Sequence, residues 1–213
     1  MSEIPIFGNR DFSSRPPMDE HSLDRDPFIQ FSVWFTDALK SGVAEPEAMF
    51  LASANINGIP SGRIVLLKGF DPKGFVFFTN YNSRKGNEIE MNPFAAITFH
   101  WKEIERQVRI NGKVQKTSDS ESDEYFSSRP LESRISAIAS LQSQVVPDRK
   151  TLEDRFNVVK LQAGETPVRP AHWGGFRIIP DAFEFWQARP NRLHDRIQYS
   201  IKDGKWVVKR LFP

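Results

Sequence analysis

The chain contains no cysteine, which removes disulfides, thiolate nucleophiles, cysteine-ligated zinc and iron–sulfur clusters together. Any redox chemistry must therefore use a borrowed organic cofactor. No run of about 18 apolar residues occurs, and the start, Met1-Ser-Glu-Ile-Pro-Ile-Phe-Gly8, lacks the basic flank and apolar stretch of a secretory signal. The expectation is a cytoplasmic protein with no membrane partner. Neither G-x-G-x-x-G nor G-x-x-x-x-G-K-[ST] is present, so a phosphorylated ligand has to be gripped by side chains and not by a glycine-rich loop. The four histidines (His21, His100, His172, His194) are too dispersed for a local metal motif, and no metal is expected. A formal net charge of only +2 implies no dominant attraction to nucleic acid.

What is present is enough apolar material, 39% of 213 residues, for one domain with a substantial core. Residues 1–25 mix Pro, Ser, Asp and Arg without periodicity and read as a mobile arm able to close over a ligand. Residues 26–213 read as a single domain. Asp26-Pro27 supplies an N-cap and a first-turn proline, and Phe28, Phe31, Trp34, Phe35, Ala38 and Leu39 form one helical stripe that stops near Gly42. Short β-type runs follow at 49–54, 63–69, 75–81, 95–101 and 106–116, with Asn57-Gly58 and Asp71-Pro72-Lys73-Gly74 as turns.

A short helix is predicted at 83–91, ended before Asn92-Pro93. Ser118-x-x-Glu121 is a capping box opening a helix toward Ser128, with a second short helix after Pro130. Thr151-x-x-Asp154 resembles another box, with Leu152, Phe156, Val159 and Leu161 on the apolar side of its helix. Strands return at 173–179, 183–187, 196–201 and 206–211, the last pair joined by Asp203-Gly204. Strands outnumber helices, which predicts a mainly β (α+β) fold: an antiparallel barrel or strongly curved sheet, with helices packed outside and edges hidden by closure.

Four segments carry candidate chemistry. Arg63-Ile-Val-Leu-Leu-Lys68 brackets four apolar residues with two cations; in a regular strand these point to opposite faces and could serve two anions, or simply cap a buried strand. Ser83-Arg84-Lys85 opens a helix where free N–H groups favour phosphate, although such a start is more often just solvated. Tyr125, Arg129 and Ser133 are spaced four apart, on one side of a helix unless Pro130 breaks it, so a ligand site and an ordinary helix end both remain open. If the chain is extended beyond Asn191, then Arg192, His194 and Arg196 point one way and Leu193 to the core; the three cations need either an anion or a salt-bridged hairpin with Asp195 and Glu184. Trp186 beside them could pack in the core or face a planar ligand.

These segments, in this order, closely resemble the pyridoxine/pyridoxamine 5′-phosphate oxidase family. The likeness runs from about Asp26 to Pro213 on R-I-V-L-L-K, F-x-T-N, S-R-K, E-R-Q-V-R, Y-F-x-S-R-P, Q-S, W-G-G-F-R, E-F-W-Q and R-L-H-D-R. The resemblance implies an FMN-binding split β-barrel, working as a homodimer with two flavins. It further implies that Arg63, Phe78, Thr79, Arg84, Lys85, Gln107, Gln142, Ser143, Trp186 and Arg196 hold FMN. Lys68, Tyr125, Arg129 and Ser133 would grip a substrate phosphate, and Arg192 and His194 would face its pyridine ring as the catalytic pair. The implied reaction oxidises pyridoxine or pyridoxamine 5′-phosphate to pyridoxal 5′-phosphate, with O2 as acceptor and H2O2 as product.

The chain departs from the family's usual pattern at four places. Ser136 and Ile138 stand for the glycine and tryptophan of S-x-I-G-A-W, Ala188 for a glycine after F-W-Q, Phe78 for a tyrosine, and Phe212 for an alanine. The competing readings are a related split-barrel flavin oxidase acting on another aromatic substrate, and a non-catalytic FMN- or pyridoxal-phosphate-binding protein. A nucleic-acid-binding barrel using Phe99 and Trp101 as stacking platforms ranks last, because those aromatics alternate with apolar core positions.

Overall fold

The computed structural model describes residues 16–213; most of the anticipated arm, residues 1–15, lies outside the described residues. The elements run α1 (Pro27–Lys40), β1 (Ala48–Ala54), β2 (Pro60–Leu66), β3 (Gly69–Asp71), β4 (Gly74–Asn80), α2 (Arg84–Met91), β5 (Phe94–Trp101), β6 (Arg106–Lys116), α3 (Asp119–Ser128), α4 (Leu131–Ala139), α5 (Arg149–Ala163), β7 (Trp173–Gln187), β8 (Asp195–Lys202) and β9 (Lys205–Arg210). The strand order is β2-β1-β5-β6-β7-β4-β3, with β8 on β7 and β9 on β8. The pairs β1–β2, β1–β5, β3–β4, β4–β7, β7–β8 and β8–β9 are all antiparallel.

The chain divides into two compact units. One holds the described residues up to Pro46 together with Phe99–Arg109 and Ala182–Pro213; the other holds Glu47–Thr98 and Ile110–Asp181. In the first, α1 starts as its sequence dictates, with the Asp26 carboxylate accepting from the Phe28 amide at 2.8 Å. Its buried face is Phe31, Trp34 and Ala38, narrower than the predicted stripe, since Leu39 is exposed. Phe31 packs on Phe99 at 5.1 Å between ring centroids and Trp34 stands edge-on to Phe185 at 5.1 Å. Phe99 and Trp101 are thus core residues, and the Trp101 indole N–H donates to the Pro46 carbonyl at 3.0 Å. In the same unit residues 16–24 are tied down: Met18 is buried, its amide donates to Asp195, and the Tyr199 hydroxyl donates to the Asp24 carbonyl at 2.7 Å.

In the second unit Met49, Leu51, Phe75, Phe77, Ile97, Phe176 and Ile178 form the buried side of the sheet. Three local differences from the sequence reading have physical causes. The run 173–187 is one strand, not two, because Pro180 falls between the stretch paired to β4, which ends at Ile178, and the stretch paired to β8, which begins at Ala182; neither ladder needs its missing N–H. The α5 N-cap is Asp148, which accepts from the Thr151 amide at 2.6 Å, so Thr151 lies in the first turn and Asp154 pairs with Lys150 instead of closing a box. The apolar side expected for α5 is not buried: Leu161 is 88% exposed, and Phe156 and Val159 are only half-buried. No described helix is long and apolar enough to cross a membrane.

The β3–β4 turn depends on Gly74, whose φ is +133°. A Cβ there would also overlap the Ile178 carbonyl oxygen across the β4–β7 ladder. Gly74→Ala is expected to cost about 2 kcal/mol or more, lowering Tm in a thermal melt by roughly 4–8 °C; an unchanged Tm would contradict this register.

Candidate active site

The second unit contains a cavity of about 890 Å3, and the elements deliver cations to it from several sides. Strand β2 supplies Arg63. Lys68 reaches the same cavity because β2 stops at Leu66 and the chain breaks before β3, so the alternation expected of one regular strand never extends to it. Helix α2 brings Arg84 and Lys85 just past its cap, Ser83, whose hydroxyl accepts from the Gly86 amide at 3.3 Å. The α3–α4 junction adds Tyr125 and Arg129.

Lys85 is the most constrained cation. Its Nζ donates to Thr79 Oγ1 and to Gln142 Oε1, each at 3.0 Å, and burial pushes its pKa down to about 8, assisted by the nearby Arg63 charge. Thr79 and Gln142 join at 3.1 Å, and Ser143 holds a left-handed backbone at φ 73° beside them. Arg63 is fastened by the Leu51 carbonyl, Ser53 and Ser61, with Glu88 at 3.4 Å. Glu88 also takes Arg84 at 2.9 Å.

Also lining the cavity, Phe78 stacks on Tyr125, with centroids 3.9 Å apart and an interplanar angle of 17°. Trp173 lies parallel beyond them, 5.7 Å from Phe78. The Arg129 guanidinium sits over the Trp173 ring at 4.7 Å, and its Nη1 is buried without a hydrogen-bond partner among the described residues. Such an orphaned donor costs free energy unless a ligand meets it. Burial raises the Tyr125 pKa, so the phenol stays protonated and offers an O–H. Pro130 does break the helix, with α3 ending at Ser128; Ser133, a turn into α4, does not line the cavity.

The remaining expected residues lie in the first unit. The 190–193 stretch is not extended: Pro190–Arg192 is a 3₁₀ turn, and Asn191 and Arg192 both have positive φ, 58° and 59°. Consecutive left-handed non-glycine residues are strained, a feature that collects at functional turns. Arg192, His194 and Arg196 therefore do not share one strand face, and Leu193, expected in the core, is 68% exposed. Asp195 is buried in its place, paired with Arg210 at 2.7 Å and with Arg189 at 3.7 Å. Arg196 forks onto Glu184 with bonds of 2.9 and 3.1 Å. The salt-bridged hairpin on Asp195 and Glu184 is thus the arrangement that forms.

The His194 ring lies 4.7 Å from Trp186 at a tilt of 44°, and its Nδ1 accepts from the Arg189 amide at 3.1 Å. That bond leaves its proton on Nε2, and burial, with the Arg192 charge, lowers its pKa, so the ring is neutral at pH 7. Gln107 is half-buried on β6. Ala188, standing where glycine is usual, has no positive φ and is buried without backbone strain. Phe212 is 94% exposed and offers its carbonyl to Arg196. Ser136 lines the cavity and Ile138 packs against the Phe126–Trp173 cluster.

Sequence reading missed Trp173 as a cavity wall, although it opens the W-G-G-F-R motif. It also missed Ser53, Ser61 and Glu88, because a serine or glutamate within a strand or helix carries no local mark of the arginine it supports. Among the described residues no group of histidine, aspartate and glutamate is placed to hold a metal.

Residues 35–163 match the family model described as pyridoxamine 5′-phosphate oxidase, and residues 173–213 match the pyridoxine 5′-phosphate oxidase C-terminal dimerisation region. The chain is 54% identical to the pyridoxine/pyridoxamine 5′-phosphate oxidase of Cupriavidus pinatubonensis, covering 92% of this chain and 93% of that one. It is 53% identical to the enzyme of the same name from Paraburkholderia phytofirmans, with the same coverage of each. Among solved structures it resembles PhzG from Burkholderia lata 383, in complex with tetrahydrophenazine-1-carboxylic acid, with TM-score 0.87, 30% identity and coverage of 91% and 96%. The fold class expected from the sequence, an antiparallel split β-barrel, is the one these neighbours share. By two family models and by relatives matched along nearly their whole length, the chain belongs to the pyridoxine/pyridoxamine 5′-phosphate oxidase family.

Proposed function

We propose that this chain is an FMN-dependent oxidase that converts pyridoxine or pyridoxamine 5′-phosphate to pyridoxal 5′-phosphate, with O2 as acceptor and H2O2 as product, acting as a cytoplasmic homodimer. The observation that carries the reading is the cavity that gathers Arg63, Lys68, Arg84, Lys85 and Arg129, with Lys85 desolvated and Arg129 Nη1 orphaned. Such walls fit anionic ligands with aromatic rings. Arg63, Arg84, Lys85, Thr79, Gln142 and Ser143 are suited to the flavin phosphate and its chain, with Phe78 beside them; Gln107, Trp186 and Arg196 are assigned to the flavin by family likeness alone. Lys68, Tyr125 and Arg129 are suited to the substrate phosphate, with Ser133 assigned there by family likeness alone. When bound, FMN supplies the two-electron acceptor for the hydride leaving C4′ and passes the electrons to O2.

The chain's own contribution is alignment and charge compensation. Arg192, on its strained turn, is assigned to the reacting group and His194 to the substrate ring by family likeness, with Trp186 packed against the imidazole. A related oxidase acting on an uncharged aromatic would leave the buried Arg129 Nη1 without an anion to meet it.

Anaerobic addition of pyridoxine 5′-phosphate is expected to bleach the flavin absorbance of the FMN-loaded protein, and unphosphorylated pyridoxine at equal concentration is expected not to. Arg192→Ala should keep the flavin and slow bleaching by about 100-fold. Equal bleaching by both compounds, or full turnover by R192A, would overturn the assignment.

Lys85 makes flavin binding pH-dependent. Its folded pKa of about 8 lies below the ordinary lysine value, and a phosphate beside it restores the ammonium, so binding takes up a proton above pH 8. FMN affinity measured between about pH 7.5 and 9.5 should fall as pH rises, by at most about tenfold per unit, and Lys85→Met should flatten the profile. A flat wild-type profile would contradict the placement of Lys85 at the phosphate.

A further inference from the structure

Glu88 has no place among the residues expected to touch a ligand, yet it is the counter-charge beneath two of them. It sits in the second turn of α2, and its side chain is 5% exposed. One oxygen, Oε2, receives the Ser53 hydroxyl at 2.6 Å and the Ser61 hydroxyl at 2.5 Å. The other, Oε1, receives Arg84 Nε at 2.9 Å. A serine hydroxyl has one proton, and both serines give theirs to Glu88; their lone pairs are thereby turned toward Arg63, whose Nη1 donates to Ser53 at 2.5 Å and whose Nη2 donates to Ser61. Arg63 also reaches Glu88 Oε2 at 3.4 Å.

Burial alone would raise the Glu88 pKa, but the two hydroxyls and Arg84 bring it down to about 2, so the group is a carboxylate at every working pH. A single buried anion thus fixes the hydroxyl rotors that hold Arg63 and anchors Arg84 directly. Both guanidiniums line the same cavity as Lys85.

We propose that Glu88 is a positioning residue for the flavin phosphate: by orienting Ser53 and Ser61 as acceptors, and by pairing with Arg84, it sets two arginines in phosphate-binding geometry before the cofactor arrives. The inference rests on the reading that this cavity takes FMN. Replacing the carboxylate by an amide keeps the shape but turns an N–H donor either toward Arg84 Nε or toward the serines, so one arm loses its orientation. The charge effect has the opposite sign, because removing an anion near a phosphate favours binding; the proposal holds that orientation outweighs it, since a guanidinium free to rotate must be ordered by the ligand.

The test is titration of apoprotein with FMN and with riboflavin, which differ by the phosphate, followed by quenching of flavin fluorescence. Wild type should bind FMN far more tightly than riboflavin. Glu88→Gln should lower the FMN-to-riboflavin affinity ratio by about tenfold, the scale of one charge-assisted hydrogen bond, and riboflavin affinity should stay within about twofold. Ser61→Ala, which removes one hydroxyl and leaves the buried charge, should shift the ratio the same way by about threefold, and it carries the test if E88Q does not fold. Parallel losses for both ligands, an unchanged ratio or a raised ratio would each overturn the proposal while leaving the cofactor assignment intact. Wild type with no preference for FMN over riboflavin would overturn the assignment and the proposal together.

Discussion

Positive charge brought to the walls of a cavity has to be compensated, and much of the local structure around this site follows from that requirement. Arg63, Lys68, Arg84, Lys85 and Arg129 converge on one cavity, where their mutual repulsion opposes folding. The protein answers part of the debt internally. Glu88 takes Arg63 and Arg84, Trp173 offers its ring face to Arg129, and Lys85 lowers its affinity for a proton. The uncompensated remainder, one nitrogen of Arg129, is what an anionic ligand would satisfy.

The first unit solves the same problem differently. There Glu184 and Asp195 are buried carboxylates that absorb Arg196, Arg109, Arg189 and Arg210. The His194 imidazole is held through Nδ1 by the Arg189 amide and is neutral at pH 7. The chain thus pairs a region rich in unspent positive charge with one whose charges are already matched.

Much of this was readable from residue order. Asp26-Pro27, the Ser118–Glu121 box and Asp203-Gly204 announced helix starts and a turn because each works through local hydrogen bonds or backbone preference. The convergence of Arg63, Lys85 and Arg129 was legible only through family likeness, since residues from β2, α2 and the α3–α4 junction meet through sheet topology. Where local rules misled, a non-local contact had won. Lys68 escaped strand alternation because β2 ends early. Leu193 yielded the interior to Asp195, whose partners Arg189 and Arg210 pull it inward. Glu88 was invisible because nothing in Arg84–Met91 reveals which strands its carboxylate will face.

Two separate phosphate positions, served by different cations of this chain, are what the proposed chemistry requires. A crystal structure of the protein with FMN and pyridoxal 5′-phosphate tests it directly. The flavin phosphorus should lie in hydrogen-bond contact with Arg63, Arg84 and Lys85, and the second phosphorus with Lys68, Tyr125 and Arg129. Phosphates bound away from these side chains, or a single phosphate contacted by both sets, would contradict it.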